Sequence, residues 1–278
     1  MRHVPPSFDP EAVARIDGLL DDFAENPRVN VPLAIESGSR AWGFPSPDSD
    51  YDCRFLYVRS VTEYLSPWPS RDVIESPPDG ILDVNGWDLR KALQLLVMGN
   101  AAVLEWLRSP ITYRSDETFR RDMLELAERV SNRSLVGSHY LHVGRTQWKR
   151  FADDGGQVPL KKVFYALRPA LALRWMREHP ASAVPPMQIQ QLVDETGLPA
   201  AVAAEIGSFV ALKATTREMG TGKVPAPIHD LIRDELVDEE WLTRRRPAGA
   251  EAAARRDASQ FFHDAVHTHG LPRDRQDD

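Results

Sequence analysis

The chain has 278 residues, 42% of them hydrophobic and 27% charged, which is enough length and apolar content to bury a full core. No apolar run reaches the ~20 residues of a membrane-spanning helix, and MRHVPPSFDP at the N-terminus lacks the pattern of a signal peptide, so we expect a cytoplasmic protein with no membrane partner. A formal net charge of −7 argues against broad binding of long nucleic acids, and a single cysteine, Cys53, excludes an internal disulfide and a cysteine-rich zinc site.

The first part of the chain predicts one helix and then a small sheet. Residues 9–25 have apolar side chains at helical spacing, with Asp9 as the N-cap and a proline in the first turn. Strands are predicted at 31–36, 51–58, 71–75 and 80–84. The dipeptide Asn85-Gly86 is expected to end the last of these strands.

The loop between the first two strands carries the most specific chemistry. Gly38 and Ser39 open it, and Asp50 and Asp52 close it. Because side chains alternate along a strand, the two carboxylates share one face, and the residues on either side of Asp52 take the other. Carboxylates suit Mg²⁺, and a glycine lets backbone N–H groups approach phosphate oxygens. The pattern indicates a site for a nucleoside triphosphate and its magnesium; the alternative is a polar turn with Asx-type hydrogen bonds.

A third carboxylate is ambiguous from the sequence. Asp83 is flanked by apolar residues, as expected for an acid presented by a strand, whereas Asp88 precedes LRKAL, where helix capping is a sufficient explanation. We favour Asp83. Two helices are then predicted, LRKALQLLVMG and NAAVLEWLRS, the second ending before Pro110.

Three segments carry a resemblance to a known family. GSRAWGFPSPDSDYD resembles the signature of the DNA polymerase beta-like nucleotidyltransferases, in which a Gly-Ser pair precedes an Asp-x-Asp and a third carboxylate follows on a later strand. The segments 86–113 and 161–176 look like the RlaP-type branch, which is associated with RNA repair, and the resemblance covers about residues 30–230. Many members of the branch read Lys-Ser-Asn-Pro at 98–101, where this chain has Met-Gly-Asn-Ala.

The resemblance implies an α+β protein, a polymerase beta-like nucleotidyltransferase domain with a small mixed sheet and helices, followed by a C-terminal helical bundle. It also implies two Mg²⁺ ions, with Mn²⁺ as an alternative, and a set of site residues. The expected catalytic and metal-binding residues are Asp50, Asp52 and Asp83. The expected nucleotide-binding residues are Gly38, Ser39, Arg40, Lys161 and Lys162. Arg40 is equally suited to pairing with an acid, and Trp42 can stack on a base or belong to the core.

From Asp116 onward the pattern is almost wholly helical. Helices are predicted at 116–130, 133–152, 159–178, 187–195, 199–218 and 227–244. We therefore expect a catalytic domain at 1–114, a helical bundle at 115–270 and a polar tail at 271–278. In this arrangement Lys161 and Lys162 line the cleft opposite the Gly-Ser signature.

The expected activity is transfer of a nucleoside monophosphate from a nucleoside triphosphate to an acceptor hydroxyl, with release of pyrophosphate. The acceptor can be an RNA 3′ end, a protein or a small molecule. One alternative is a nucleotide-sensing or protein-binding module with the same fold and no turnover. Another is a metal phosphoesterase, but the His-Asp pairs of this chain, at 229–230 and 263–264, are far from the signature.

Overall fold

The aspartate-rich signature lies on a five-stranded mixed sheet. The computed structural model describes residues 2–25, 29–77, 79–152, 157–217, 219–244 and 246–271, so all of the expected polar tail beyond residue 271 lies outside it. The strands are β1 (Asn30–Glu36), β2 (Tyr51–Val58), β3 (Val73–Glu75), β4 (Leu82–Asp88) and β5 (Thr112–Ser115). Their order is β3-β4-β2-β1-β5, and β2 and β4 are parallel while the other neighbours are antiparallel.

Helices account for most of the remaining described residues. They are α1 (Pro10–Glu25), α2 (Gly38–Trp42), α3 (Val61–Tyr64), α4 (Leu89–Val97), α5 (Ala101–Arg108), α6 (Glu117–Val130), α7 (Arg133–Ala152), α8 (Leu160–Glu178), α9 (Ile189–Asp194), α10 (Ala200–Thr215), α11 (Ala226–Glu235) and α12 (Ala250–His269). A 3-10 turn (Glu240–Thr243) and a small ribbon of β6 (Val158–Pro159) and β7 (Thr221–Gly222) complete the described part. Of the helices described, none is both long and apolar enough to cross a bilayer.

The two faces of the sheet are covered by different helices. Strand β2 directs Cys53 and Phe55 into a buried cluster that includes Ile16 of α1. It directs Leu56 and Val58 into the larger cluster formed with α4, α5 and the later helices. Because side chains alternate, Asp52 lies on the same face as Leu56 and Val58, toward the helical part of the protein. The expectation that Cys53 takes the opposite face, buried, is confirmed.

One sequence-based expectation about the sheet was wrong, and one strand was not predicted. Strand β4 does not end at Asn85-Gly86 but continues to Asp88. Gly86 instead permits a close approach, because a Cβ there would collide with the ring of Phe55 on the neighbouring strand. Strand β5, which no pattern predicted, is only four residues long and is held in the sheet by pairing with β1.

The helical part differs from the expectation at its C-terminal end. The predicted helix at 227–244 stops at Glu235, and the 3-10 turn follows it. Helix α12, which was not among the predicted segments, packs against α4, α6 and β2. Its last turn accepts a hydrogen bond, from Asn30 Nδ2 to the His269 carbonyl at 2.9 Å. Helix α12 thus packs on the sheet-containing part of the protein. The predicted domain boundary at residue 114 stays a prediction. The α+β class, a mixed sheet with helices followed by a largely helical part, is confirmed.

Candidate active site

One arginine joins the carboxylates of two neighbouring strands. Asp52 and Asp83 are register partners in the parallel pair β2 and β4. Arg54, two residues after Asp52 and therefore on the same face, donates from Nη2 to Asp52 Oδ1 at 3.2 Å and to Asp83 Oδ2 at 2.7 Å. Burial raises the pKa of Asp52, the Arg54 guanidinium opposes this, and the negative charges of Asp83 and Asp50 add to it. The three predicted acids therefore lie within electrostatic reach of one another.

The Gly-Ser turn packs directly on Asp52. The Ser37 N–H donates to the Asp52 carbonyl at 2.8 Å, which fixes the start of α2 beside β2. Gly38 has a φ of +59°, and a Cβ at this position would collide with the Asp52 carboxylate. Only glycine accepts both the left-handed conformation and this contact. The first N–H groups of α2 have no acceptor within their own helix, so the turn presents backbone donors next to the acids.

The side chains of Ser39 and Arg40 hold the loop that carries Asp50. Ser39 Oγ donates to Ser49 Oγ at 2.9 Å. Arg40 donates from Nε to the Asp50 carbonyl at 3.0 Å and from Nη2 to the Ser49 carbonyl at 2.7 Å, with its guanidinium carbon 3.9 Å from the Tyr51 ring centroid. These contacts give both residues a structural role. Their predicted nucleotide contacts stay predictions.

A buried glutamate lies behind Asp52. Glu36, at the end of β1, accepts a hydrogen bond from the Asp52 N–H at 3.1 Å and another from the Tyr113 hydroxyl at 2.5 Å. Burial raises the pKa of Glu36 to about 8, so its carboxyl group is mostly protonated at neutral pH. Glu36 was not among the residues predicted from the sequence, although an acid at the end of an apolar strand and two residues before Gly38 is a usable signal.

Helix α8 contacts the signature loop through Lys161, and the predicted nucleotide contacts of Lys161 and Lys162 stay predictions. Lys161 Nζ contacts Asp48 Oδ2 at 2.9 Å across the gap between α8 and the signature loop. Lys162 Nζ lies 5.2 Å from the ring centroid of Tyr165. Burial raises the pKa of Tyr165, and the negative charges of Asp52 and Asp50, which lie within electrostatic range, raise it further.

A third lysine, near α8, carried no sequence signal. Lys213 on α10 is 4% exposed, and its Nζ lies 4.5 Å from the Phe44 ring centroid and 5.2 Å from that of Phe164. Burial lowers its pKa to about 8, and the positive charge of Lys161 lowers it as well. The packing of α10 against α8 and the signature loop brings Lys213 to this position.

The rival third carboxylate has a different role. Asp88 is the N-cap of α4, accepting from the Arg90 N–H at 2.8 Å, and it also accepts from the Tyr64 hydroxyl at 3.1 Å. Arg59 Nε lies 3.3 Å from its other oxygen. These contacts account for Asp88, whereas Asp83 is exposed and beside Asp52. Their geometry agrees with the preference for Asp83.

The acids fit a cation that the substrate helps to hold. Among the described residues, no three His, Cys, Asp or Glu side chains are grouped closely enough to form a complete metal site. Mg²⁺, however, is usually held by one or two carboxylates together with substrate phosphates and water. Asp50 and Asp52, beside a turn that only glycine can form, supply oxygen ligands of that kind, and Asp83 is adjacent. The donor set therefore fits magnesium completed by a triphosphate.

A mixed sheet with a Gly-Ser turn packed on an Asp-x-Asp is the arrangement of a polymerase beta-like nucleotidyltransferase fold. The family model described as the RNA repair pathway DNA polymerase beta family, RlaP, matches residues 13–264, and the chain belongs to that family. This confirms the resemblance drawn from the signature and from segments 86–113 and 161–176.

Two further proteins are similar to this chain. The uncharacterized protein YcgL of Bacillus subtilis (strain 168) is 38% identical over 222 residues, which cover 80% of this chain and 84% of YcgL. A crystal structure of a nucleotidyltransferase-like protein from Exiguobacterium sibiricum 255-15 aligns over 95% of this chain and 81% of its own, with 12% identity and a TM-score of 0.30. A score this low supports no argument about the site.

Proposed function

We propose that this protein is a metal-dependent nucleotidyltransferase that moves a nucleoside monophosphate from a nucleoside triphosphate to an acceptor hydroxyl. The acceptor oxygen bonds to the α-phosphorus, the bond from that phosphorus to the bridging oxygen breaks, and pyrophosphate leaves. Among the three acceptor classes expected from the sequence, an RNA 3′ end is favoured by the description of the family as an RNA repair pathway family.

The observation that carries the proposal is the pairing of Asp52 and Asp83 beside the Gly38 turn, with Asp50 directly before the same strand. Asp52 and Asp83 meet through register pairing of β2 and β4 and share Arg54. Asp50 and Asp52 would hold Mg²⁺, with Asp83 as the third ligand or as the base for the acceptor proton. When bound, the cation would neutralise charge on the phosphates and polarise the attacking and leaving oxygens.

The remaining residues position the substrate. The backbone donors of the Gly38 turn would receive phosphate oxygens, because successive N–H groups in a turn form an anion-binding concavity. When the triphosphate binds, Lys161 would leave Asp48 and contact the terminal phosphates, which carry more negative charge. Ser39 and Arg40 keep the loop of Asp50 fixed. Positioning and charge neutralisation would thus supply most of the rate enhancement.

The test is pyrophosphate release and label transfer. Each of the four ribonucleoside triphosphates, labelled at the α-phosphate, is incubated with Mg²⁺ and with RNA, protein or small-molecule fractions. Activity is expected with at least one acceptor and is expected to disappear in Asp50→Ala and Asp52→Ala. The matched control is Asp257→Ala on the exposed side of α12. Unchanged pyrophosphate release in both site variants would refute the assignment.

A nucleotide-sensing module with the same fold is the second candidate. It predicts Mg²⁺-dependent binding of a nucleoside triphosphate with no pyrophosphate released from any acceptor fraction. Isothermal titration next to the transfer assay separates the two functions, since only the enzyme loses its bound triphosphate over time.

A further inference from the structure

A cavity of about 250 Å³ lies next to the candidate active site, between α5, α7, α8 and the end of α2. Its lining includes Trp42, Ala102, His139, Gln147, Tyr165 and Arg168. Trp42 belongs to the same single helical turn as Gly38, and its ring is edge-on to that of Tyr165, with centroids 6.0 Å apart. Tyr165 in turn lies within electrostatic range of Asp50 and Asp52. The cavity is therefore one helical turn from the proposed phosphate site.

A buried guanidinium in the wall of this cavity has one unused donor. Arg168 donates from Nε to the Met187 carbonyl at 2.9 Å and from Nη1 to Glu105 Oε1 at 2.6 Å. Its Nη2 is also buried, and no described atom accepts a hydrogen bond from it. Arg168 is 3% exposed, so bulk water does not supply the missing hydrogen-bond acceptor to Nη2. A buried donor without an acceptor is costly, and a ligand that supplies an acceptor removes this cost.

Glu105 neutralises the charge of this arginine. Its carboxylate also accepts from Trp42 Nε1 at 3.2 Å and from the Tyr140 hydroxyl at 3.1 Å, so its hydrogen-bonding capacity is largely used by the protein. The Arg168–Glu105 pair brings no net charge to the cavity. A phosphate or carboxylate that entered the cavity would lose its hydration, and no unpaired positive charge would compensate this loss. A neutral ligand is favoured.

Two more polar side chains line the cavity without hydrogen-bond partners among the described residues. They are His139 and Gln147 on α7. Burial lowers the pKa of His139, which keeps its ring neutral near pH 7, although the nearby Glu105 opposes the shift. A neutral imidazole and a primary amide each offer both a donor and an acceptor. Together with Arg168 Nη2 they give the cavity polar groups beside its aromatic rings, and the Arg168 guanidinium carbon lies 5.1 Å from the Trp42 ring centroid.

We propose that this cavity receives the nucleobase of the nucleoside triphosphate. The rings of Trp42 and Tyr165 provide apolar and aromatic surface, and Arg168 Nη2, His139 and Gln147 contact the polar edge of the base. A nucleobase is planar and uncharged and has acceptors on its edge, so it suits the aromatic surface, the lack of net charge and the polar groups of the cavity. The volume is sufficient, because a cavity of about 150 Å³ already accepts benzene. This inference rests on the proposed function, since it takes the triphosphate to lie at the Gly38 turn.

The experiment separates base binding from phosphate binding. The affinities of the four ribonucleoside triphosphates and of inorganic tripolyphosphate are measured by isothermal titration in Mg²⁺, without acceptor. At least one nucleotide is expected to bind about tenfold or more tightly than tripolyphosphate, the scale of base stacking on aromatic side chains. Ala102→Leu, which fills the cavity, is expected to abolish this advantage and to leave tripolyphosphate binding unchanged.

Two further variants complete the design. Gln147→Ala is expected to weaken the preferred nucleotide about threefold to tenfold and to change the order of preference, a scale typical of one hydrogen bond. Because Gln147 has no hydrogen bond to lose in the described structure, this variant keeps the test valid if Ala102→Leu folds poorly. Ala252→Leu, an exposed alanine of α12, is the matched control and should behave as the parent.

Three results would overturn the inference. In the first, both cavity variants keep the nucleotide affinities and their order while tripolyphosphate still binds. The cavity would then not be the nucleobase site, and the proposed phosphate site would be unaffected. In the second, Ala102→Leu keeps nucleotide affinity but stops transfer, which would assign the cavity to the acceptor. In the third, neither nucleotides nor tripolyphosphate bind the parent protein, and the proposed function fails with the inference.

Discussion

Gly38 lies against Asp52 so closely that a β-carbon at position 38 would occupy the place of the carboxylate. The contact joins the turn after β1 to the second residue of β2, and it places the backbone donors and the acid at one sheet edge. Since neither residue can be moved independently, the turn and the carboxylate act as one unit.

The first prediction concerns Gly38→Ala. We expect loss of nucleotidyl transfer and a decrease in the free energy of unfolding of about 2–4 kcal/mol, because the substitution combines a left-handed backbone with a collision at Asp52. The measurements are pyrophosphate release and urea unfolding. Gly80→Ala is the matched control, because Gly80 also has a φ of +59° but no atom within 4 Å of the added carbon. An equal effect of both variants on activity would contradict the role given to the Asp52 contact.

The second prediction separates the two candidate third carboxylates. Asp83→Ala is expected to abolish transfer and to change stability by less than about 1 kcal/mol, as is usual for exposed ion pairs. Asp88→Ala is expected to retain activity in its folded fraction but to lose about 1–3 kcal/mol, because it removes a helix N-cap and a partner of Arg59. Thermal unfolding and pyrophosphate release on both variants provide the check. The assignment is reversed if Asp88→Ala is the stable, inactive variant.

The third prediction uses the pH dependence of Lys213. Its pKa is lowered to about 8 from 10.5 in the folded protein. Below pH 8 the folded state therefore carries the full cost of burying a charged amine. Between pH 8 and 10.5 the unfolded state binds more protons than the folded state, so stability rises with pH through this window.

Lys213→Met removes this dependence. The variant is expected to be about 3 kcal/mol more stable than the parent at pH 7, and its advantage should fall toward zero near pH 10.5. Urea unfolding of both proteins at pH 7, 9 and 10.5 measures the difference. A difference that does not vary with pH would show that Lys213 is not a strained, buried charge.

The fourth prediction tests whether Lys161 serves the substrate or only ties α8 to the signature loop. Lys161→Met is expected to weaken tripolyphosphate binding in Mg²⁺ about fivefold to tenfold. Asp48→Asn is expected to keep or increase the affinity, because it removes the carboxylate that the phosphates must replace. Both variants break the same ion pair, so they serve as controls for each other. If they weaken binding equally, the pair is a structural link and Lys161 makes no phosphate contact.

Much of the fold could be predicted because its signals are local. Strands β1 and β2 were predicted from the sequence, and both lie within one residue of their predicted bounds. Capping residues marked helix starts, and Asp9 and Asp88 each accept a hydrogen bond from the first turn that follows. Strand β5 and helix α12 could not be predicted in the same way. The first is too short for a periodic signal, and the second owes its place to contacts with α4, α6 and β2.

The sequence by itself predicted that Asp50 and Asp52 lie on one side of a strand beside a glycine turn, because side-chain alternation and backbone freedom depend only on neighbouring residues. Only the tertiary structure decided that Asp83 meets Asp52, that Glu36 lies buried behind it, and that Arg168 Nη2, beside Trp42, has no acceptor among the described residues. These relationships join residues far apart in the chain, and they exist because strand register and the packing of α7 and α8 bring those residues together.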